Sequence, residues 1–174
     1  MKLKQKIDII ISLLIILFGL IILILPIFDF TNTKFLSIII YSIYTILGGI
    51  KFLFEEKTKD YDGIYLAISS VIPLIITIIF KPETSRQISL ILSLWIILVS
   101  ISKLKKIDYY HDRRDRMWKV RTFILGLFIL TGLISSVNLA FSNPTQIIAF
   151  GYLTFIHGIL ELFDPILKYL LNNS

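Results

Sequence analysis

No cysteine occurs anywhere in this chain. Disulfides, thiol nucleophiles and cysteine-ligated metal are therefore excluded. The local signatures of common enzymes are missing as well. There is no glycine-rich phosphate loop, no His-Glu-x-x-His and no Gly-x-Ser-x-Gly elbow. Charge is scarce, with Asp, Glu, Lys and Arg at 17% and only two histidines. The polar stretches are too short to build a soluble cofactor domain. These absences predict a protein that is not an enzyme and that holds no cofactor and no metal.

What is present is apolar. Hydrophobic residues make up 56% of the 174, against roughly 45–50% in a soluble domain. Mean hydropathy is +0.83. The excess is gathered into blocks, six of them, over residues 9–28, 35–54, 64–80, 87–104, 122–141 and 145–163. A bilayer core of about 30 Å needs about 20 apolar residues in a helix. The blocks therefore predict an all-α, polytopic membrane protein with six transmembrane helices in three antiparallel hairpins. A single membrane domain would span residues 1–174. The first block follows Lys2, Lys4 and Lys6 but exceeds the roughly 7–15 apolar residues of a signal peptide, so it reads as an uncleaved span.

Proline punctuates the blocks. Pro26, Pro82 and Pro144 close the first, third and fifth. Pro73 lies inside the third and predicts a kink more than a hinge. Asp164-Pro165 is expected to end the sixth, with the following residues along the surface. Six spans place both termini on one side. Lys34, Lys81 and Arg86 then fall on the opposite side and the other fifteen basic residues on the side of the termini. The positive-inside rule makes that side the cytoplasm, in a cell membrane. Heavy use of Ile, Lys and Asn suggests A/T-rich coding and a bacterial source.

The second helix of each expected hairpin carries a stripe at i, i+3 and i+7. The stripes are Ser42, Thr45 and Gly49; Ser93, Ile96 and Ser100; and Gly151, Thr154 and Gly158. Small residues at this spacing let helix backbones approach closely. Gly49, Ser100, Gly151 and Gly158 are therefore the expected helix-packing positions of an internal repeat.

Three segments carry a family likeness. Gly19 stands seven residues before Pro26, Gly48-Gly49-Ile50 lies in the second block, and Gly158-Ile159-Leu160-Glu161 in the sixth. With the paired-helix pattern they make nearly the whole chain resemble the acid-resistance membrane protein HdeD family. The middle hairpin departs, with Val99-Ser100-Ile101 in place of a glycine motif. The resemblance implies a bacterial inner-membrane protein with a part in acid or envelope stress tolerance. It brings no catalytic residues.

The candidate chemistry is concentrated in the sixth block. His157, Glu161 and Asp164 stand at i, i+4 and i+7, on one side of a helix. They suggest an ionisable intramembrane site, and with it a small transporter or channel subunit. The competing reading puts Glu161 and Asp164 at the cytoplasmic boundary, where charge is cheap, with His157 packed beside Gly158. Topology favours the second. Asn138, with Thr131, Ser135 and Ser142, would line a polar path or bond between helices. The basic stretch from Lys105 to Arg121 would set topology or meet anionic lipid or a cytoplasmic partner. Asp108, Asp112 and Asp115 interrupt it, so no nucleic acid is expected. The bilayer, and a second copy in a homo-oligomer, are the remaining partners.

Overall fold

The computed structural model describes residues 3–54, 61–112, 118–138 and 143–172, without the side chains of 106, 109, 110, 112, 135–138, 143, 164 and 167–172. The described residues form six α-helices and no strand. They are α1 (Leu3–Ile24), α2 (Thr33–Leu53), α3 (Asp62–Phe80), α4 (Ser85–Asp112), α5 (Trp118–Asn138) and α6 (Asn143–Asn172). Five are long and apolar enough to cross a membrane, namely α1 to α4 and α6. The expected span 122–141 falls on α5 and runs on into residues outside the described ones.

Local chemistry sets the helix ends. A 3-10 turn, Leu25–Phe28, carries Pro26 where its missing N–H does no harm, and Asp29 closes it in the left-handed region at φ 54°. Asn32 then caps α2, its side chain accepting the Phe35 amide at 3.0 Å. Replacing Asn32 by Ala should lower stability by about 0.5–2 kcal/mol, read from the melting midpoint. Lys81, left-handed at φ 44°, stops α3 just before Pro82. Thr84 and Gln87 form a capping box at the start of α4. The Thr84 hydroxyl accepts the Gln87 amide at 3.3 Å, and the Gln87 carbonyl accepts the Thr84 and Glu83 amides.

Two helices outrun their apolar blocks. α4 continues past 104 to Asp112, taking in half of the basic stretch. α6 does not stop at Asp164-Pro165 but runs on to Asn172 with Pro165 inside it. Proline removes its own amide bond and its ring crowds the carbonyl four residues back, which kinks a helix without having to end it. The acceptor left without its helical partner is the carbonyl of Glu161, four residues back.

The most extensive contacts are α1 with α6, α2 with α3, and α4 with α5. α1 and α2, joined by a short turn, touch little. The close pairs are therefore α2–α3 and α4–α5, plus the pair made by the first and last helices. Glycine explains two of them. A Cβ on Gly19 would stand 2.5 Å from the Phe155 amide nitrogen, and one on Gly158 would stand 2.8 Å from that of Ile16. On the second pair, a Cβ on Gly48 would stand 2.6 Å from the Ala67 nitrogen, and Gly63 is pressed against the Phe52 backbone. Only hydrogen fits at such backbone crossings.

The α2 crossing is made at Gly48 and not at Gly49, around which nothing lies within 4 Å. This moves the α2 stripe by one residue. Tyr44, Gly48 and Lys51 now share the 0, 4, 7 spacing of Ile96, Ser100 and Lys103 and of Thr154, Gly158 and Glu161. All nine are buried. Each stripe thus ends on a buried charge.

Candidate functional site

Those three charges meet. Lys51 Nζ lies 2.9 Å from Asp62 Oδ2 and 2.8 Å from Glu161 Oε2. Lys103 Nζ lies 3.5 Å from Asp62 Oδ1 and bonds directly to Glu161 Oε1. Each lysine sits between two carboxylates and each carboxylate between two lysines. The result is a closed, alternating and electrically neutral ring. Its members come from α2, α3, α4 and α6, hence from all three close pairs.

The sequence positions this ring simply. Lys51 and Lys103 lie near the C-terminal ends of their apolar blocks, Asp62 opens α3, and Glu161 lies one turn after His157. All four point inward, and none of the four side chains is more than 7% exposed. A lone charge removed from water is strongly penalised, whereas a paired and hydrogen-bonded one persists. Neutrality is what lets this site exist in the bundle interior. Arg121, in the first turn of α5 at the same end, is also buried.

Above the ring, toward the middle of the bundle, stands an aromatic cage. Trp95 is its centre and is 0% exposed. Tyr44 meets it edge-on at 5.2 Å between centroids, with Tyr41 at 6.1 Å and Phe128 at 6.4 Å. The indole N–H donates to the Ser70 hydroxyl at 3.4 Å. His157 is the fourth wall, 5.9 Å from Trp95 and 5.7 Å from Phe128. Tilted and edge-on rings gain about 0.5–1.5 kcal/mol per pair beyond area burial.

His157 joins cage to ring. Its Nδ1 is 3.1 Å from the Tyr44 hydroxyl. Its Nε2 is 3.5 Å from Glu161 Oε1, within ion-pair reach but outside hydrogen-bond geometry. The Tyr41 hydroxyl and Thr154 Oγ1 are likewise buried without a hydrogen bond. At the far end of the same α6 face, Gln146 donates its amide to the Ser85 carbonyl at 2.8 Å. Gln146, Thr154, His157 and Glu161 are spaced 8, 3 and 4 residues apart, which keeps them on one helix face.

The structure thus brings His157 and Glu161 together, and places Glu161 in the interior, not at a solvated helix end. Gly151 and Gly158 face α1, and Ser100 is buried with its hydroxyl bonded to the Ile96 carbonyl of its own helix. Asn138 ends α5; its side chain, like that of Asp164, lies outside the described residues. Asn138's companion Thr131 bonds to carbonyls of its own helix. Among the described residues no group of three or more His, Asp and Glu could hold a metal ion. The sequence alone does not single out Lys51, Asp62 and Lys103. The available signal was two cations and two carboxylates near the same end of four blocks. Comparison with family models, with curated proteins and with solved structures finds no match.

Proposed function

We propose that this is a multi-pass, non-enzymatic protein of the bacterial cytoplasmic membrane, of the HdeD-like type, acting in acid or envelope stress tolerance. Its exterior supports the membrane reading. Leu13, Leu17, Leu20 and Ile24 on α1, and Ile68, Ile75 and Ile79 on α3, all face outward. The interior holds the charges instead. This is the arrangement lipid favours and water does not. The 0, 4, 7 stripes on α2, α4 and α6 support an internal repeat. The basic-residue asymmetry supports cytoplasmic termini, with the ring near the cytoplasmic face.

The observation that carries the stress role is the ring. Its neutrality requires both Asp62 and Glu161 to be ionised. A proton captured by either one leaves a lysine uncompensated among three helix pairs. Acid reaching this site therefore acts on the packing of the whole bundle. The experiment is deletion of the gene followed by survival at low pH, with complementation by wild type and by Glu161→Gln. The expected result is an acid-survival defect restored by wild type alone. Unchanged survival in acid and under envelope stress would sink the role. A second copy of the chain and anionic lipid along residues 105–121 are the partners this reading admits.

A further inference from the structure

We propose that His157 is a proton-transfer residue on a polar path through the bundle, and that the protein conducts protons between the ionic ring and the opposite face. The inference rests on the membrane-spanning reading and is independent of the stress role. The two imidazole nitrogens face two different proton-exchanging groups. Nδ1 meets the Tyr44 hydroxyl at 3.1 Å, on the side of the cage. Nε2 meets Glu161 at 3.5 Å, on the side of the ring, and makes no hydrogen bond there. A neutral imidazole carries one proton and one lone pair, so it can accept at one nitrogen and release at the other without turning.

Beyond Tyr44 the path continues through Thr154, which lies within reach of the Tyr44 hydroxyl, and Tyr41. Tyr41 lies one turn further along α2, and Thr154 one turn further along α6. Both present buried oxygen atoms without a hydrogen bond. Buried polar atoms of this kind are where internal water is held. Gln146 stands at the other end, bonded to the first turn of α4. From Glu161 to Gln146 is 15 residues, a rise of about 22 Å, against an apolar thickness of about 30 Å. The groups facing His157 are Lys51 and Tyr44 from α2, Asp62 from α3, Lys103 and Trp95 from α4, Phe128 from α5 and Glu161 from its own helix. Across Gly158, α1 contributes Ile15 and Ile16.

The step balances. A proton held on the Glu161 carboxyl passes to Nε2, so that an N–H bond forms as the O–H bond breaks. The resulting imidazolium gives its Nδ1 proton to the Tyr44 oxygen. The Tyr44 hydroxyl releases its own proton to water beside Thr154. One proton has moved, no electrons have been exchanged, and the ring is again neutral. A half-turn of the imidazole, which brings the protonated nitrogen to the Tyr44 side and the bare one to the Glu161 side, resets the residue without sending the proton back and completes the cycle.

The test uses the full chain in liposomes with a potassium gradient, valinomycin and an internal pH dye. Wild-type vesicles should show proton flux clearly above protein-free vesicles. His157→Phe, which keeps a ring in the cage, should abolish that flux, and so should Tyr44→Phe. Tyr152→Phe, on the exposed face of α6, should leave it unchanged. Each variant is melted alongside wild type, and Tyr44→Phe carries the test if His157→Phe does not fold. Wild-type flux at the protein-free level overturns the proposal, as does full flux in a folded His157→Phe or Tyr44→Phe. Flotation of the protein with the vesicles is read separately, so failure of the path and failure of membrane insertion are distinguished.

Discussion

Glu161→Gln should lower the free energy of unfolding by about 3–5 kcal/mol, the range found when one partner of a buried ion pair is removed. The substitution changes almost no volume. It converts a ring of two positive and two negative groups into one with two lysines and a single carboxylate. Lys51 at 2.8 Å and Lys103 in direct contact then face a neutral amide. Neither lysine reaches solvent, because both are buried. Lys103→Met should be damaging for the opposite reason, leaving two carboxylates to one lysine. The double variant Lys103→Met with Glu161→Gln removes one charge of each sign. It keeps the Lys51–Asp62 pair at 2.9 Å and restores neutrality. Its loss should fall short of the sum of the single losses by about 0.5–3 kcal/mol. Lys119→Met, exposed and outside the ring, should stay within about 0.5 kcal/mol of wild type. Unfolding in detergent, followed by helical signal, gives all four values. Strict additivity of the two single variants would show that the ring is not one interacting unit.

The six helices were legible because apolar block length is a local property. The described part of each block lies within or against an observed helix, and the ends at Asp29 and Lys81 are announced by neighbouring polar residues and by Pro82. The run of α6 through Pro165 was not legible. Proline usually marks an ending, and only the surrounding packing decides whether the ladder resumes beyond it. The register of the α2 stripe was ambiguous for a simple reason. Gly48 and Gly49 are adjacent, and on a helix adjacent residues point about 100° apart. The structure chooses Gly48 because Ala67 and Gly63 of α3 approach there. The site was only half visible. His157 and Glu161 are one turn apart and stand out in an apolar block. Lys51 and Glu161 are 110 residues apart, and nothing local links them. Read singly, Lys51, Asp62 and Lys103 each look like ordinary charges near a membrane boundary.

Two kinds of contact therefore divide the labour. Within the α1–α6 and α2–α3 pairs, glycine lets backbone meet backbone, and in α2–α3 the Lys51–Asp62 bond at 2.9 Å adds to the crossing. Between pairs, the cage and the ring do the joining. Tyr41 and Tyr44 come from α2, Trp95 and Phe128 from α4 and α5, and Phe150 and His157 from α6. The cage, His157 apart, is held by aromatic contacts that carry no net charge. The ring differs, since its members titrate. A change in protonation thus loosens contacts between pairs while the glycine crossings within α1–α6 and α2–α3 keep their fit. His157, touching both layers, is placed to pass a change in the ring on to the cage.

Gly19→Ala should test the other kind of contact, with a loss of about 1–3 kcal/mol, the usual cost of overpacking. The added methyl would sit 2.5 Å from the Phe155 nitrogen and 2.7 Å from its Cα. Both are backbone atoms, so no rotamer change relieves the clash. α1 must move away from α6 along the whole crossing, where Gly151 and Gly158 also hold the helices close. Gly48→Ala should behave alike, with its methyl 2.6 Å from the Ala67 nitrogen. Gly132→Ala is a graded case, because the nearest atom is Ile96 Cγ2 at 2.8 Å and a side chain can turn. Gly49→Ala and Gly126→Ala meet nothing within 4 Å. There the only change is in helix propensity, which favours Ala by up to about 1 kcal/mol. The expected order of melting midpoints in one detergent is Gly49→Ala and Gly126→Ala at or above wild type, then Gly132→Ala, then Gly48→Ala and Gly19→Ala. A Gly19→Ala protein that melts with wild type would mean that α1 and α6 do not cross at this point. A Gly49→Ala protein that melts far below it would return the α2 crossing to the register expected from the sequence stripe.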